Sequence, residues 1–307
     1  MVLLAFLLAA DPAPVRRFDV PFATADGETL KLDFVAPAGP GPFPVVVCLH
    51  GGAWKAGSRK DLSRPALWAD FGAAGALPRA EPTLPVKTRS DGPSLLDLLA
   101  ERGYAAASAS YRLAPRHKFP AQIIDVATAV RFLRANAADF RIDPARVAAC
   151  GFSAGGHLAS LLALTAGRVP EFRGDLFPDQ PDGVRAVVNF FGPADLTLYE
   201  ESPGIEATAL RPLFGGDPAT RPARYRQASP VNHVTRAAPP FLHLHGTVDV
   251  VVPMLHTQRL HDRLTAAGVP SELVKYRGKG HGWFGPELGD SVTRASAFLD
   301  KYVKGSP

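Results

Sequence analysis

Val147-Ala148-Ala149-Cys150-Gly151-Phe152-Ser153-Ala154-Gly155-Gly156-His157-Leu158 is the stretch that decides how this chain is read. A short apolar run leads into Gly-x-Ser-x-Gly, and an apolar helical pattern from Ala154 to Ala166 leads away from it. Strand, tight turn and helix in that order give the pentapeptide its meaning, because the pattern alone recurs easily in a chain with 28 glycines. Small residues are required where a serine occupies a strained turn, since Cβ atoms at the flanking positions would collide. Ser153 should then project its hydroxyl from the carboxyl end of a strand, the edge at which open α/β sheets bind ligands.

Working outward, short apolar runs alternate with helical patterns from Pro44 onward: Val45 to Leu49, Ala105 to Ser110, Val147 to Cys150, Ala186 to Phe191, Phe241 to His245 and Glu272 to Tyr276. That rhythm predicts a mostly parallel sheet with helices on both faces. Arg16 to Phe22 and Leu30 to Val35 flank Asp26-Gly27 and read as an opening antiparallel pair. Helical spacing runs from Pro120 to Asn136, through Leu260, Leu264 and Ala267, and from Ser291 to Val303, where Ala295, Phe298, Leu299 and Tyr302 supply one face. Residues 15–307 thus read as one α/β domain after a segment 1–14. Two insertions rich in Pro, about 61–94 and 196–231, break the rhythm and are the candidates for cleft walls.

His50-Gly51-Gly52-Ala53-Trp54 follows the strand Val45 to Leu49 directly. Backbone amides freed by such a turn can converge on the negative oxygen of a tetrahedral intermediate. The Gly52, Ala53 and Ala154 amides are the expected donors, with Gly51 shaping the turn and His50 fixing it by hydrogen bonding. A serine hydroxyl is a poor nucleophile near neutral pH, so a histidine must take its proton and an acid must orient that histidine. After a serine on such a turn the partners follow in the order acid, then histidine. Asp249 in Leu244-His245-Gly246-Thr247-Val248-Asp249 and His281 in Gly278-Lys279-Gly280-His281-Gly282 satisfy that order, each just past a strand. Either residue alone is ordinary loop chemistry; order and placement together single them out. Activity should fall as pH drops through the range where histidine takes up a proton. His243 and His245 share one strand face without a third ligand beside them, so no metal is assigned, and the machinery calls for no cofactor. His157 reads as a packed helix residue, and His256 and His261 as lying on an exposed helix. Trp54, Trp68, Phe71, Tyr199 and Trp283 are the aromatic candidates for a substrate pocket.

The net charge of +5 comes from Lys and Arg scattered among Asp and Glu, which excludes the footprint of a nucleic-acid binder. Arg211, Arg221, Arg224 and Arg226 read as an exposed loop. Cys48 and Cys150 each fall in a central strand and read as buried, unpaired thiols. Met1 to Ala10 is almost wholly apolar and precedes Asp11-Pro12-Ala13-Pro14, a pattern that points to export to the periplasm or beyond, with a frayed terminus on a cytoplasmic protein as the alternative, and is too short to span a bilayer. Oligomeric state leaves no trace in the sequence.

HGGAW at 50–54, SYRLAP at 110–115, FPAQIIDVATAVRFLRAN at 119–136, DPARVAACGFSAGGHLASLLAL at 143–164, HGTVDVVVP at 245–253 and GKGHGWF at 278–284 together resemble the α/β-hydrolase esterases related to hormone-sensitive lipase. They resemble more closely the bacterial acetylxylan and feruloyl esterase-like group. The resemblance covers most of Pro44 to Val303 and implies Ser153 as nucleophile, Asp249 and His281 as its partners, and Gly52, Ala53 and Ala154 as oxyanion donors. The activity it implies is hydrolysis of short-chain or carbohydrate-linked acyl esters, the substrate being a small molecule or an oligosaccharide ester. Ala53 departs from the HGGG of hormone-sensitive-lipase-like enzymes, and where those carry an N-terminal helical cap this sequence is expected to enter the sheet almost at once, any cap coming from elsewhere. HGGxW also looks like kynurenine formamidase, an aryl-formamide hydrolase with the same machinery. A non-catalytic binding protein on this scaffold is the alternative from another class, and it is expected to have lost part of the triad.

Overall fold

The computed structural model describes residues 13–64, 93–201 and 203–305. Most of the expected leader, most of the first insertion, and Trp68 and Phe71 within it lie outside the described residues.

Val15–Ala25 (β1) and Glu28–Ala36 (β2) form the opening antiparallel hairpin. Asp26 and Gly27 both have positive φ, 48° and 76°, the turn geometry whose twist matches that of the strands. Phe43–Leu49 (β3), Ala105–Ala109 (β4), Ile142–Phe152 (β5), Val187–Phe190 (β6), Phe241–Gly246 (β7) and Ser271–Tyr276 (β8) complete the sheet. Among the described residues it has eight strands in the order β1-β2-β4-β3-β5-β6-β7-β8, parallel from β4 to β8. The chain runs outward from β3 to β4 and returns to the other side of β3 as β5. Loops leaving β3 and β5 therefore diverge at the carboxyl edge and open a crevice there.

Alternation along the strands supplies two cores. Val45, Val47 and Leu49 face one side with Ile123 and Val130 of helix Ala121–Ala135 (α2), Leu158 and Leu162 of Ala154–Thr165 (α3), and Leu260 and Leu264 of Leu255–Ala266 (α4). Val46 and Cys48 face the other with Leu96 and Leu99 of Leu95–Glu101 (α1) and Phe298 and Leu299 of Pro286–Leu299 (α5). Each fully buried aliphatic or aromatic side chain contributes about 1.5–3 kcal/mol, so sequestering both stripes of these strands is what commits the chain to this layered form. It is the α/β-hydrolase fold, a mostly parallel sheet covered by helices on both faces.

Two elements differ from the sequence reading. The closing helix begins at Pro286 rather than Ser291, because Pro286 fits the first helical position and Gly285 precedes it at φ 68°. It then passes into a wider turn over Asp300–Gly305. The 196–231 insertion is not irregular. It is a string of short helical turns that bury Leu196, Leu210, Leu213, Phe214 and Tyr225, and within it Arg211 and Arg224 pair with Glu206 and Glu171. Cys48 and Cys150 sit opposite one another in β3 and β5, buried and free. Among the described residues no helix is long and apolar enough to cross a membrane.

Candidate active site

Ser153 stands between β5 and α3 with φ 53° and ψ −119°, a region that costs a non-glycine residue about 1–3 kcal/mol. The surroundings enforce it. Ser153 N–H donates to the Phe190 carbonyl of β6 at 2.9 Å, and its carbonyl accepts from His157 N–H at 3.0 Å. A Cβ on Gly151 would overlap the Gly155 carbonyl, and one on Gly155 would overlap the Leu49 and His50 carbonyls. The glycines thus allow the serine turn to press against the end of β3, which brings it beside the turn that follows.

That turn closes on the Gly52 carbonyl, which accepts from Lys55 and Ala56 N–H at 3.1 and 3.0 Å. Gly52, Ala53 and Trp54 all have positive φ, 109°, 52° and 58°. Among the described residues the Gly52 and Ala53 amides have no protein acceptor. Ala154 opens α3, so its amide has no partner four residues back and lies at the positive end of the helix. His50 holds the turn from beneath. Its Nδ1–H donates to Gly51 O at 2.8 Å, its ring stacks on Tyr111 at 4.2 Å, and the Tyr111 hydroxyl donates to His50 O at 2.9 Å. Burial pushes its pKa down to about 4, so it stays neutral.

Asp249 and His281 come from the loops after β7 and β8. His281 Nε2 is 2.8 Å from Ser153 Oγ and its Nδ1 is 2.7 Å from Asp249 Oδ2. A carboxylate can only accept, so Nδ1 carries the proton and Nε2 is free to receive the one on the serine. Asp249 Oδ1 accepts from Val251 and Val252 N–H, both at 2.9 Å. Burial pushes this carboxyl upward, but the His245 and His281 hydrogen bonds, the charge of His281 and the Val252 amide outweigh it and hold it well below the usual carboxylate range. The loops thus bring a serine hydroxyl, an imidazole with a free acceptor nitrogen and a carboxylate held in its charged form into one hydrogen-bonded line.

Corrections fall on the aromatic residues and two histidines. Trp54, Tyr199 and Trp283 are 4%, 2% and 5% exposed and brace the loops rather than line an open cleft. Trp54 Nε1–H donates to His157 Nδ1 at 3.2 Å, and His157 Nε2–H donates to the Ala228 carbonyl at 2.7 Å. Trp283 Nε1–H donates to Ser291 Oγ at 2.7 Å and packs on Tyr276 and Phe191. Tyr199 donates to Val251 O at 3.3 Å and lies 4.6 Å from His256. His256 is on a helix but buried, its Nδ1 accepting from Asp195 N–H, while His261 is half-buried beside Ser271. Two residues carry no sequence signal of their own. Phe191, at φ 42° after β6, places its ring 4.7 Å from that of His281. His245 reaches Asp249 from the strand before its loop. Among the described residues no group of three His, Cys, Asp or Glu side chains is arranged to hold a metal ion.

The profile of the BD-FAE family matches residues 87–264, more than half of the chain. The chain belongs to the BD-FAE family. This BD-FAE member is 32% identical over 271 residues to Esterase LipC of Mycobacterium tuberculosis, covering 85% of this chain and 59% of that protein. The chain spans about half the length of the curated relatives it matches. Among solved structures it resembles the bifunctional GH43-CE of Bacteroides eggerthii, with TM-score 0.74 and 30% identity over 93% of this chain and 38% of that one. It also resembles a truncated carbohydrate esterase from gut microbiota, with TM-score 0.73 and 25% identity over 95% and 98% of the two chains.

Proposed function

We propose that this BD-FAE member is a serine carboxylic-ester hydrolase that works through an acyl-enzyme on Ser153 and acts on short-chain or carbohydrate-linked acyl esters of the acetyl or feruloyl type. The observation that carries the reading is the hydrogen-bonded line from Ser153 Oγ through His281 to Asp249. The esterase relatives and the carbohydrate esterase among the structural neighbours support the same class.

Ser153 Oγ attacks the ester carbonyl as His281 Nε2 takes its proton, and Asp249 stabilises the imidazolium that forms. The developing oxyanion meets the Gly52, Ala53 and Ala154 amides, each donor contributing about 3–4 kcal/mol in the transition state. His281 returns the proton to the leaving alcohol. Water, activated by the same imidazole, then releases the acid and restores Ser153.

The test is acid release from p-nitrophenyl acetate, p-nitrophenyl octanoate, acetylated xylan, methyl ferulate and N-formylkynurenine, with Ser153→Ala as control. Turnover of the acetyl or feruloyl esters that vanishes in Ser153→Ala supports the proposal. Preference for the formamide would move the enzyme to the kynurenine formamidase class, and equal rates for wild type and Ser153→Ala would remove Ser153 from the reaction.

A further inference from the structure

His245, next to last in β7, is fully buried, and its ring is tied at both nitrogens. Nε2 lies 2.8 Å from the Val252 carbonyl and 3.3 Å from Asp249 Oδ2. Both oxygens can only accept, so Nε2 must carry a proton. Nδ1 lies 2.6 Å from the hydroxyl of Thr257, itself fully buried in α4, and accepts its hydrogen. The proton placement is therefore the reverse of that on His281, and the Nε2–H of His245, bonded to Val252 O, also lies 3.3 Å from the carboxylate oxygen that accepts from His281 Nδ1–H.

This matters because Asp249 sits on a loop. Val251 and Val252 amides hold Oδ1, but Oδ2, the oxygen that orients His281, would otherwise be held only by the group it has to position. His245 supplies an anchor for Oδ2 from the end of β7, and its second acceptor, Val252 O, belongs to the loop that carries Asp249. Thr257 ties the ring to α4, so strand, loop and helix are locked through one imidazole.

The geometry points to His245 as a positioning residue of the Ser153 reaction: its Nε2–H holds Asp249 Oδ2 where the carboxylate keeps His281 protonated at Nδ1 and aimed at Ser153. The inference rests on the ester-hydrolase reading of the site. A residue that acts through Asp249 has a signature that a mere core brace lacks, because its loss should matter only while Asp249 is intact.

The experiment is a cycle of His245→Leu and Asp249→Asn, singly and together, with kcat and KM for p-nitrophenyl acetate and thermal midpoints for all forms. His245→Leu fills the space without a donor and is expected to lower kcat about 10- to 100-fold, the scale of one charge-assisted hydrogen bond, with KM within about twofold. In the Asp249→Asn background the same change should alter kcat by less than about threefold. A second pair keeps the test decisive if His245→Leu does not fold. The amide nitrogen of His245→Gln can reach the place of Nε2 and should recover most of the rate, whereas that of His245→Asn stops near the place of Nδ1 and should not. Losses that multiply in the cycle, or equal rates for the Gln and Asn variants, would overturn the role of His245 while an inert Ser153→Ala left the hydrolase reading standing. An active Ser153→Ala would remove that reading, and this one with it.

Discussion

Replacing Asp249 with asparagine changes one oxygen for an NH2 group, and the structure dictates which one. Oδ1 faces the backbone N–H groups of Val251 and Val252 at 2.9 Å, which cannot relocate their hydrogens as an imidazole can, so the amide oxygen must stay there. The NH2 is then forced to the Oδ2 position, 2.7 Å from His281 Nδ1. To avoid opposing donors, His281 must move its proton to Nε2, where it confronts the Ser153 hydroxyl 2.8 Å away and can no longer accept from it. Keeping the working tautomer instead forfeits a charge-assisted hydrogen bond, about 1.5–3 kcal/mol, and leaves a buried donor unpaired, about 1–3 kcal/mol more. At about 1.4 kcal/mol per factor of ten, kcat should fall roughly 10²- to 10⁴-fold, with KM little changed because the carboxylate is remote from bound substrate. Initial rates on p-nitrophenyl acetate, with circular dichroism to verify the fold, measure this. A folded Asp249→Asn enzyme within tenfold of wild type would refute the argument that Asp249 sets the tautomer of His281.

Other outcomes follow from the same contacts. Gly155→Ala places a methyl group into the Leu49 and His50 carbonyls, which are backbone and cannot swing away, so the variant should fail to accumulate as folded protein in an expression and circular dichroism comparison. His157→Leu strips the Trp54 indole of its acceptor and the Ala228 carbonyl of its donor, at about 1–3 kcal/mol each, so calorimetry should record a clearly lower thermal midpoint; an unchanged one would mean that these bonds contribute nothing. Acid should unfold the protein steeply. Burial pushes His50 and His157 down to about 4 and His243 and His256 down to about 3, against roughly 6.5 in the unfolded chain. Between those values the unfolded state binds more protons, so stability is present above about pH 6.5 and is lost as pH falls, by about 1.4 kcal/mol per unit for each histidine. All four demands act in the same direction, against a total of only roughly 5–15 kcal/mol for a typical fold. Urea midpoints that stay flat from pH 7 to pH 4 would contradict this.

Much of this molecule is legible in its sequence. Apolar runs of strand length separated by helical spacing announce a parallel sheet, because burial on both faces leaves that pattern and little else. Gly151-Phe152-Ser153-Ala154-Gly155 announces its turn because only glycine tolerates the carbonyls that crowd positions 151 and 155. The serine, acid, histidine order singles out Asp249 and His281, which lie 96 and 128 residues from Ser153 in sequence and within two hydrogen bonds of it in space. Side-chain type, however, does not say which way a residue faces. Trp54, Tyr199 and Trp283 have the chemistry of pocket walls, yet their polar atoms find partners inside the protein, and that pairing depends on segments distant in sequence. His256 sits on a helix that sequence reads as exposed, and Tyr199 from the 196–231 insertion covers it. His245 reads as one more strand histidine until the 247–252 loop folds back to put Asp249 and Val252 on the same nitrogen. Periodicity and local sterics act over a few residues and are written in the sequence itself. The partner of each buried polar atom is chosen by the packing of distant loops, and only the tertiary structure decides it.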